Sequence, residues 1–165
     1  MPNIDIRPAE IDDAVVLHEI LTSAHVVEGT MRLPHARLAS TKQRLEAKPD
    51  RVQLVAVSGG DVVGFAEVLT QFDNPRARHA AVLNLIATRA DMQSRGVATG
   101  LLEAVIGLAD NHWGLRRLSL VVWADNEPAI RLYERFGFER EGLQRDFVRS
   151  GTRYQDAVAM ARIHD

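Results

Sequence analysis

HAAVLNLIATRADMQSRGVATGLLEAVIGLADNH, residues 79–112, decides the fold. From His79 to Thr88 the stretch is nearly all apolar after its start, with Asn84 the exception. A short run of that kind suits a strand covered on both faces. The period then changes. Val97, Leu101, Val105 and Leu108 or Ala109 recur on one side of a helix that runs to His112, and Gly114 is a natural stop. Between the two lies Gln93-Ser94-Arg95-Gly96-Val97-Ala98. A strand, a turn with a glycine and a helix N-terminus make an anion-binding arrangement, because unpaired N–H groups and the macrodipole both favour negative charge there. Gly96 lets the backbone approach a phosphate closely, Ala98 keeps the first turn small, and Arg95 adds a cation. Taken alone, one glycine and one arginine read more simply as a plain loop entering a helix. The loop lacks the Gly-Lys-Ser/Thr of a Walker A motif and the three spaced glycines of a dinucleotide fingerprint.

Upstream, Asn3 to Arg7 alternates polar and apolar residues, which predicts a strand ended by Pro8. Glu10 to Ser23 has helical spacing, with Glu10, Asp12 and Asp13 in the first turn where the macrodipole favours them. His25 to Ala39 reads as a loop with a short helix, and Ser40 caps a helix over Thr41 to Ala47. Arg51 to Ser58 and Val62 to Phe72 form a hairpin about Gly59-Gly60-Asp61. Downstream, Arg117 to Trp123 is a strand and Asn126 to Phe136 a helix with Pro128 in its first turn. Phe138 to Val148 and Arg153 to Ile163 are two more strands about Ser150-Gly151. Hairpins mixed with crossover helices predict an α/β (α+β) fold, a mixed sheet with helices on both faces.

Asn126 and Tyr133 fall on nearly one face of their helix, offset by about 20° after two turns. Asn126 offers an amide that donates and accepts. Tyr133 offers a weak acid with an unperturbed pKa of about 10. The plainer assignment is a helix cap and a core aromatic.

Composition excludes several classes. The 165 residues are 46% hydrophobic and 25% charged, with net charge −2 and no cysteine. Balanced charge argues against nucleic acid or an acidic membrane as partner. Without cysteine there is no disulfide scaffold, thiolate metal site or thiol nucleophile. His18, His25, His35, His112 and His164 show no ligand spacing, so no metal is expected. No signal pattern or membrane-length apolar run is seen, and the expected location is the cytoplasm.

The phosphate-type loop and the Asn126–Phe138 segment, in this order with the strand Arg117 to Trp123 between them, resemble the GNAT superfamily of acetyl-CoA-dependent N-acetyltransferases. Gln93 to Ala98 is similar to that family's Gln/Arg-x-x-Gly-x-Gly/Ala loop. Asn126, Ala129, Tyr133, Gly137 and Phe138 match its Asn-x-x-Ala-x-x-x-Tyr-x-x-x-Gly-Phe segment. The resemblance spans the chain and implies a single acetyltransferase domain over 1–165, with a mostly antiparallel sheet of about seven strands. It implies that backbone groups of Ile86, Ala87 and Thr88 pair with the pantetheine arm of acetyl-CoA. N–H groups of Gln93, Ser94, Arg95, Gly96, Val97, Ala98 and Thr99 would hold the pyrophosphate, and Asn126 would bond the pantetheine. Tyr133 would protonate the departing thiolate, and an N–H near Ala87 would stabilise the oxyanion. With no cysteine to carry an acyl group, direct attack by the amine in a ternary complex is expected.

Many relatives place a basic carboxylate on the strand matching His79 to Thr88, and here there is none. Glu67, on the preceding strand, is the first candidate for the general base, directly or through water. An exposed carboxylate at a sheet edge is the equal alternative. His79 starts its strand and reads as solvated. The acceptor site should use Thr30, Met31, Arg32 and Leu33. Arg32 would pair with a substrate carboxylate, and Met31 and Leu33 would line an apolar pocket. This layout and the ending Tyr154 to Ala161 resemble the bacterial amino-acid and phosphinothricin-type branch. A small amine bearing a carboxylate is therefore the expected acceptor. A protein or peptide N-terminal acetyltransferase and a non-catalytic acyl-CoA-binding module are the competing assignments. A homodimer, if formed, would use the last two strands.

Overall fold

The computed structural model describes residues 2–165. Its strands are β1 (Asp5–Pro8), β2 (Arg51–Ser58), β3 (Asp61–Thr70), β4 (Ala80–Thr88), β5 (Arg117–Trp123), β6 (Glu139–Ser150) and β7 (Arg153–Ile163). Its helices are α1 (Ala14–Leu21), α2 (Ala24–Gly29), α3 (Leu38–Leu45), α4 (Val97–Asn111) and α5 (Glu127–Arg135). The strands form one seven-stranded sheet in the order β1-β2-β3-β4-β5-β7-β6. Every pair is antiparallel except β4 and β5. Those two are joined through α4, the crossover that a parallel pair requires. Among the described residues no helix is long and apolar enough to cross a membrane.

Two cores cover the two faces. On one, Val97, Leu101, Leu102 and Val105 of α4 pack with Leu118, Leu120 and Val122 of β5 and with Ile130 and Phe138. On the other, Leu17, Ile20 and Leu21 of α1 pack with Val55, Phe65, Leu85 and Ala87. α3 begins at Leu38, earlier than the expected Thr41, and Arg37 rather than Ser40 precedes it. The reason is tertiary: Leu38, Thr41 and Leu45 lie at helical spacing and turn toward the α1 core, so packing extends the helix backward past its best local cap.

The residue that interrupts the apolar run of β4 also interrupts the sheet. Glu67 stands opposite Leu85 and Val68 opposite Leu83, so Asn84 is an extra residue in β4, a β-bulge. Strict alternation would put residues 81, 83, 85 and 87 on one face. Instead Ala81 and Leu83 join the α4 core, and Leu85 and Ala87 join the α1 core. The run is therefore apolar because the strand changes sides. Beyond the bulge β4 also leaves β5. Their parallel pairing covers only Ala80–Val82 with Arg117–Ser119. The rest of both strands splays apart, and the unladdered edges face a gap.

α4 sits very close to the sheet beside this gap. A Cβ at Gly64 of β3 would meet Val97 Cγ1 at 2.5 Å and the Ala87 carbonyl oxygen at 3.3 Å. Only glycine lets the start of α4 approach there.

Candidate active site

The gap between β4 and β5 opens into a cleft of about 1040 Å³. One end of it is the start of α4. Gly96 caps that helix at φ 84 and Ser94 also has φ 61, which turns the chain so that the first helical N–H groups look into the cleft. The first intrahelical bond here runs from Gly100 N–H to the Gly96 carbonyl at 2.9 Å, so the N–H groups of Val97, Ala98 and Thr99 come before it. No acid lies in the first turn and no side chain caps it. A diphosphate fits this cradle: free donors, the positive end of a 15-residue helix, and a Gly96 position with nothing within 4 Å of where a Cβ would sit.

The far wall belongs to α5. Asn126 caps the helix by accepting the Ala129 N–H at 3.3 Å, and it also lines the cleft. The cap and the exposed amide are thus compatible roles for one side chain. Tyr133 lines the cleft two turns later and packs at a tilt on Phe138, with ring centroids 5.7 Å apart. Burial raises its pKa to about 12, so the hydroxyl holds its proton at neutral pH and cannot serve there as a base.

A short strap crosses the mouth. α2 is tied to both splayed strands. His25 Nε2–H donates to the Thr88 carbonyl at the end of β4 over 2.7 Å. Trp123 Nε1–H at the end of β5 donates to the Glu28 carbonyl over 2.8 Å. Residues 30–32 emerge from this strap into the cleft. The Thr30 hydroxyl donates to the Val26 carbonyl at 2.6 Å, and Arg32 Nε–H donates to the Leu21 carbonyl at 3.1 Å. Burial, and then the nearby charge of Arg44, press the Arg32 pKa down. Among the described residues no carboxylate pairs with Arg32, whereas Arg44 is fully engaged with one.

That carboxylate is Glu67, and its placement corrects the expectation of an exposed carboxylate at a sheet edge. Glu67 is neither at an edge nor in the cleft wall. It lies on an interior strand, 1% exposed, on the α1–α3 side of the sheet. Arg44 Nε–H and Nη2–H reach its two oxygens at 3.0 and 2.8 Å. Gln53 Nε2–H and Asn84 Nδ2–H each donate at 2.8 Å. Arg51 Nη1 stands 3.8 Å away. Burial alone would raise its pKa, but the Gln53 bond, the Arg44 charge and the Asn84 bond outweigh it, and the net shift is downward. A carboxylate has about four acceptor sites, and four donors fill them here. Such a group is a clamp on the bulge, ill-suited to accept a proton.

Of the other sequence candidates, Ile86, Ala87 and Thr88 line the cleft, as do Gln93, Ser94, Gly96, Val97, Ala98 and Thr99. Thr30, Met31 and Arg32 line it from the strap side. Arg95 is exposed outside the lining, and Leu33, 78% exposed, also points away. Sequence reasoning missed Asn84, Arg44, Trp123 and Phe147, which line the cleft as well. Asn84 alone carried a signal, as the one polar residue in an apolar strand. Phe147 reaches the cleft because β6 is irregular between Gln144 and Val148, which brings its ring 6.2 Å from Trp123. Among the described residues no cluster of His, Asp or Glu is placed to hold a metal.

Comparison with known proteins agrees with this geometry. The Acetyltransferase (GNAT) family profile matches residues 15–138. The L-amino acid N-acetyltransferase AaaT of Escherichia coli strain K12 is 36% identical over 163 residues, which is 99% of this chain and 99% of that one. Among solved structures, a GNAT-family acetyltransferase from Streptococcus pneumoniae is 25% identical with a TM-score of 0.83, covering 98% of this chain and 100% of that chain. A Vibrio cholerae spermidine N-acetyltransferase in complex with CoA and spermine shares the fold, with a TM-score of 0.85 at 19% identity over 97% of this chain and 95% of that one.

Proposed function

Because this chain belongs to the acetyltransferase (GNAT) family and is an N-acetyltransferase, we propose that it acetylates the amine of a free amino acid or close analogue, using acetyl-CoA. The observation that carries the choice of acceptor is Arg32. It is a half-buried guanidinium in the cleft with no carboxylate partner among the described residues, and no acid lines the cleft. A cationic pocket without acids suits an acceptor that brings its own carboxylate. It opposes a polyamine, which would place two or more ammonium groups against arginines. The full-length similarity to an L-amino acid N-acetyltransferase supports the same choice. Met31, Trp123 and Phe147 make the remaining wall apolar, which favours an apolar side chain on the acceptor.

The chemistry follows from the residues. The N–H groups that open α4 would hold the phosphates, and the unladdered edge of β4 at Ile86 to Thr88 and the Asn126 amide, which line the same cleft, would hold the pantetheine arm. The acceptor nitrogen attacks the thioester carbonyl. A C–N bond forms and the C–S bond breaks; Tyr133 gives its proton to the leaving sulfur and is reprotonated by the proton that the acylated nitrogen sheds, so the tyrosine ends the cycle unchanged. A backbone N–H beside Ala87, on the β4 edge that lacks a β5 partner, would stabilise the carbonyl oxygen as negative charge grows on it. No acid lines the cleft to stabilise an ammonium, so the amine reacts in its neutral form after losing its proton to solvent.

The test is CoA release across L-amino acids, simple amines, polyamines and short peptides, with the wild type and Arg32→Met. Turnover much faster with carboxylate-bearing small amines than with the same amines lacking the carboxylate, that advantage being lost in the variant mainly through KM, is the expected result. Preference for polyamines or peptides refutes the reading.

A further inference from the structure

We infer that Asn84 is the residue that receives the acceptor amine, through its side-chain oxygen. The inference deepens the amino-acid reading and rests on it. Three features of the structure carry it.

The first is position. Asn84 is the bulged residue of β4, exposed at the point where β4 and β5 part, and it lines the cleft. A bulge commonly re-aims a side chain beside a functional site. The second is orientation. Asn84 Nδ2–H donates to Glu67 Oε1 at 2.8 Å. A carboxylate accepts only, so the amide must present its nitrogen to Glu67, and its oxygen is left over. Among the described residues nothing donates to that oxygen. The third is what stands beside it. Arg44 Nη2 lies 2.8 Å from the same Glu67 Oε1. One buried carboxylate oxygen thus holds both a guanidinium and the amide at the edge of one cleft, with Arg32 also lining it. The carboxylate and amine of an α-amino acid are carried on one carbon, so their partners must line one cleft, as Arg32 and Asn84 do.

The amide oxygen accepts an N–H of the acceptor. That bond turns the nitrogen lone pair away from Asn84 and leaves it free to attack. Asn84 removes no proton and only orients the neutral amine. Glu67 is a positioning residue, since it acts through the amide.

The experiment separates the two poles of the acceptor. L-phenylalanine carries both, 2-phenylethylamine only the amine, and 3-phenylpropanoate only the carboxylate. The wild type, Asn84→Leu and Arg32→Met are compared by CoA release with the two amines and by inhibition with the acid. Acetyl-CoA-dependent thermal stabilisation reports an intact cleft, and Asn84→Ser replaces the leucine variant if that one does not fold. Asn84→Leu is expected to lower kcat/KM for both amines by about 10- to 100-fold, the range for one hydrogen bond at a desolvated polar site. Inhibition by 3-phenylpropanoate should stay within about threefold of wild type, since its partners lie elsewhere. Arg32→Met should do the reverse, weakening the acid and sparing 2-phenylethylamine. If Asn84→Leu weakens 3-phenylpropanoate as much as L-phenylalanine, or leaves 2-phenylethylamine turnover unchanged, the assignment of Asn84 is wrong while the amino-acid reading stands. If the wild type releases no CoA with either amine, the amino-acid reading fails, and the inference falls with it.

Discussion

Replacing Glu67 by glutamine separates a buried clamp from a catalytic base, because the two roles predict opposite readouts. The variant keeps the shape of the side chain. It removes the charge opposite Arg44, whose side chain is only 23% exposed, and turns an N–H toward donors that need an acceptor. Breaking one partner of a buried ion pair costs about 3–5 kcal/mol. The retained amide oxygen still accepts from one or two of the donors, so the lower end, about 3 kcal/mol, is the expected loss. For a domain of this size that corresponds to a fall in Tm of roughly 6–12 °C. The sign of the pH dependence is fixed as well. The folded-state pKa of Glu67 lies below its ordinary value of 4.5. Its stabilisation is therefore fully present above pH 4.5 and is lost as the pH falls through the folded-state pKa. The gap in Tm between wild type and variant should be widest at neutral pH and narrow in acid. Thermal unfolding followed by circular dichroism from pH 7 to pH 3 measures this. Steady-state kinetics on the same samples should show a higher acceptor KM with the shape of the pH–rate profile retained. A Tm within about 2 °C of wild type, together with a kcat loss of about a thousandfold and a vanished acidic limb, would falsify the clamp and restore Glu67 as the base.

Two further outcomes follow from the cleft. Tyr133→Phe should lower kcat by about 10²- to 10⁴-fold while acetyl-CoA KM changes little, and wild-type kcat in this variant would remove Tyr133 as the acid. Because the Tyr133 pKa is raised to about 12, the wild type should show no alkaline limb from loss of this proton up to pH 10. A limb near pH 9 that disappears in the phenylalanine variant would contradict that. Gly64→Ala puts a Cβ 2.5 Å from Val97 Cγ1 at the entry to α4. Overpacking there should cost about 1–3 kcal/mol and weaken CoA binding measured by calorimetry, since the shifted helix start carries the phosphate donors. Unchanged CoA affinity would mean that α4 yields without moving its N-terminus.

Much of the cleft lining is legible in the sequence. Both ends of β2, β5 and β7 fall where the pattern of β-formers and turn residues put them. The loop Gln93 to Ala98 was readable because a glycine is needed where the chain turns left-handed into a helix, and Gly96 has φ 84. Asn126 and Tyr133 were readable because helical spacing alone returns them to one face. Glu67 was not readable. Its residue type and strand were known, but the donors that fill its oxygens come from α3, β2 and β4. Leu33 shows the converse error. It is apolar and adjacent to Arg32, yet it is 78% exposed, because the chain leaves the strap at that point.

The sequence by itself determined the class of chemistry. Local periodicity sets strands and helices, glycine and proline set the turns, and a phosphate-type loop ahead of an Asn-to-Tyr helix narrows the family. The missing cysteine excludes an acyl-cysteine route whatever the fold. Tertiary structure alone decided which polar groups meet. One extra residue, Asn84, shifts β4 by half a pleat, exchanges the faces of everything after it and parts β4 from β5. Register is a long-range property, set by the partner strand and the packing on each side, and no local pattern encodes it. From that one shift follow the cleft, the burial of Glu67 and the neighbourhood of Asn84 and Arg44, with Arg32 on the same cleft.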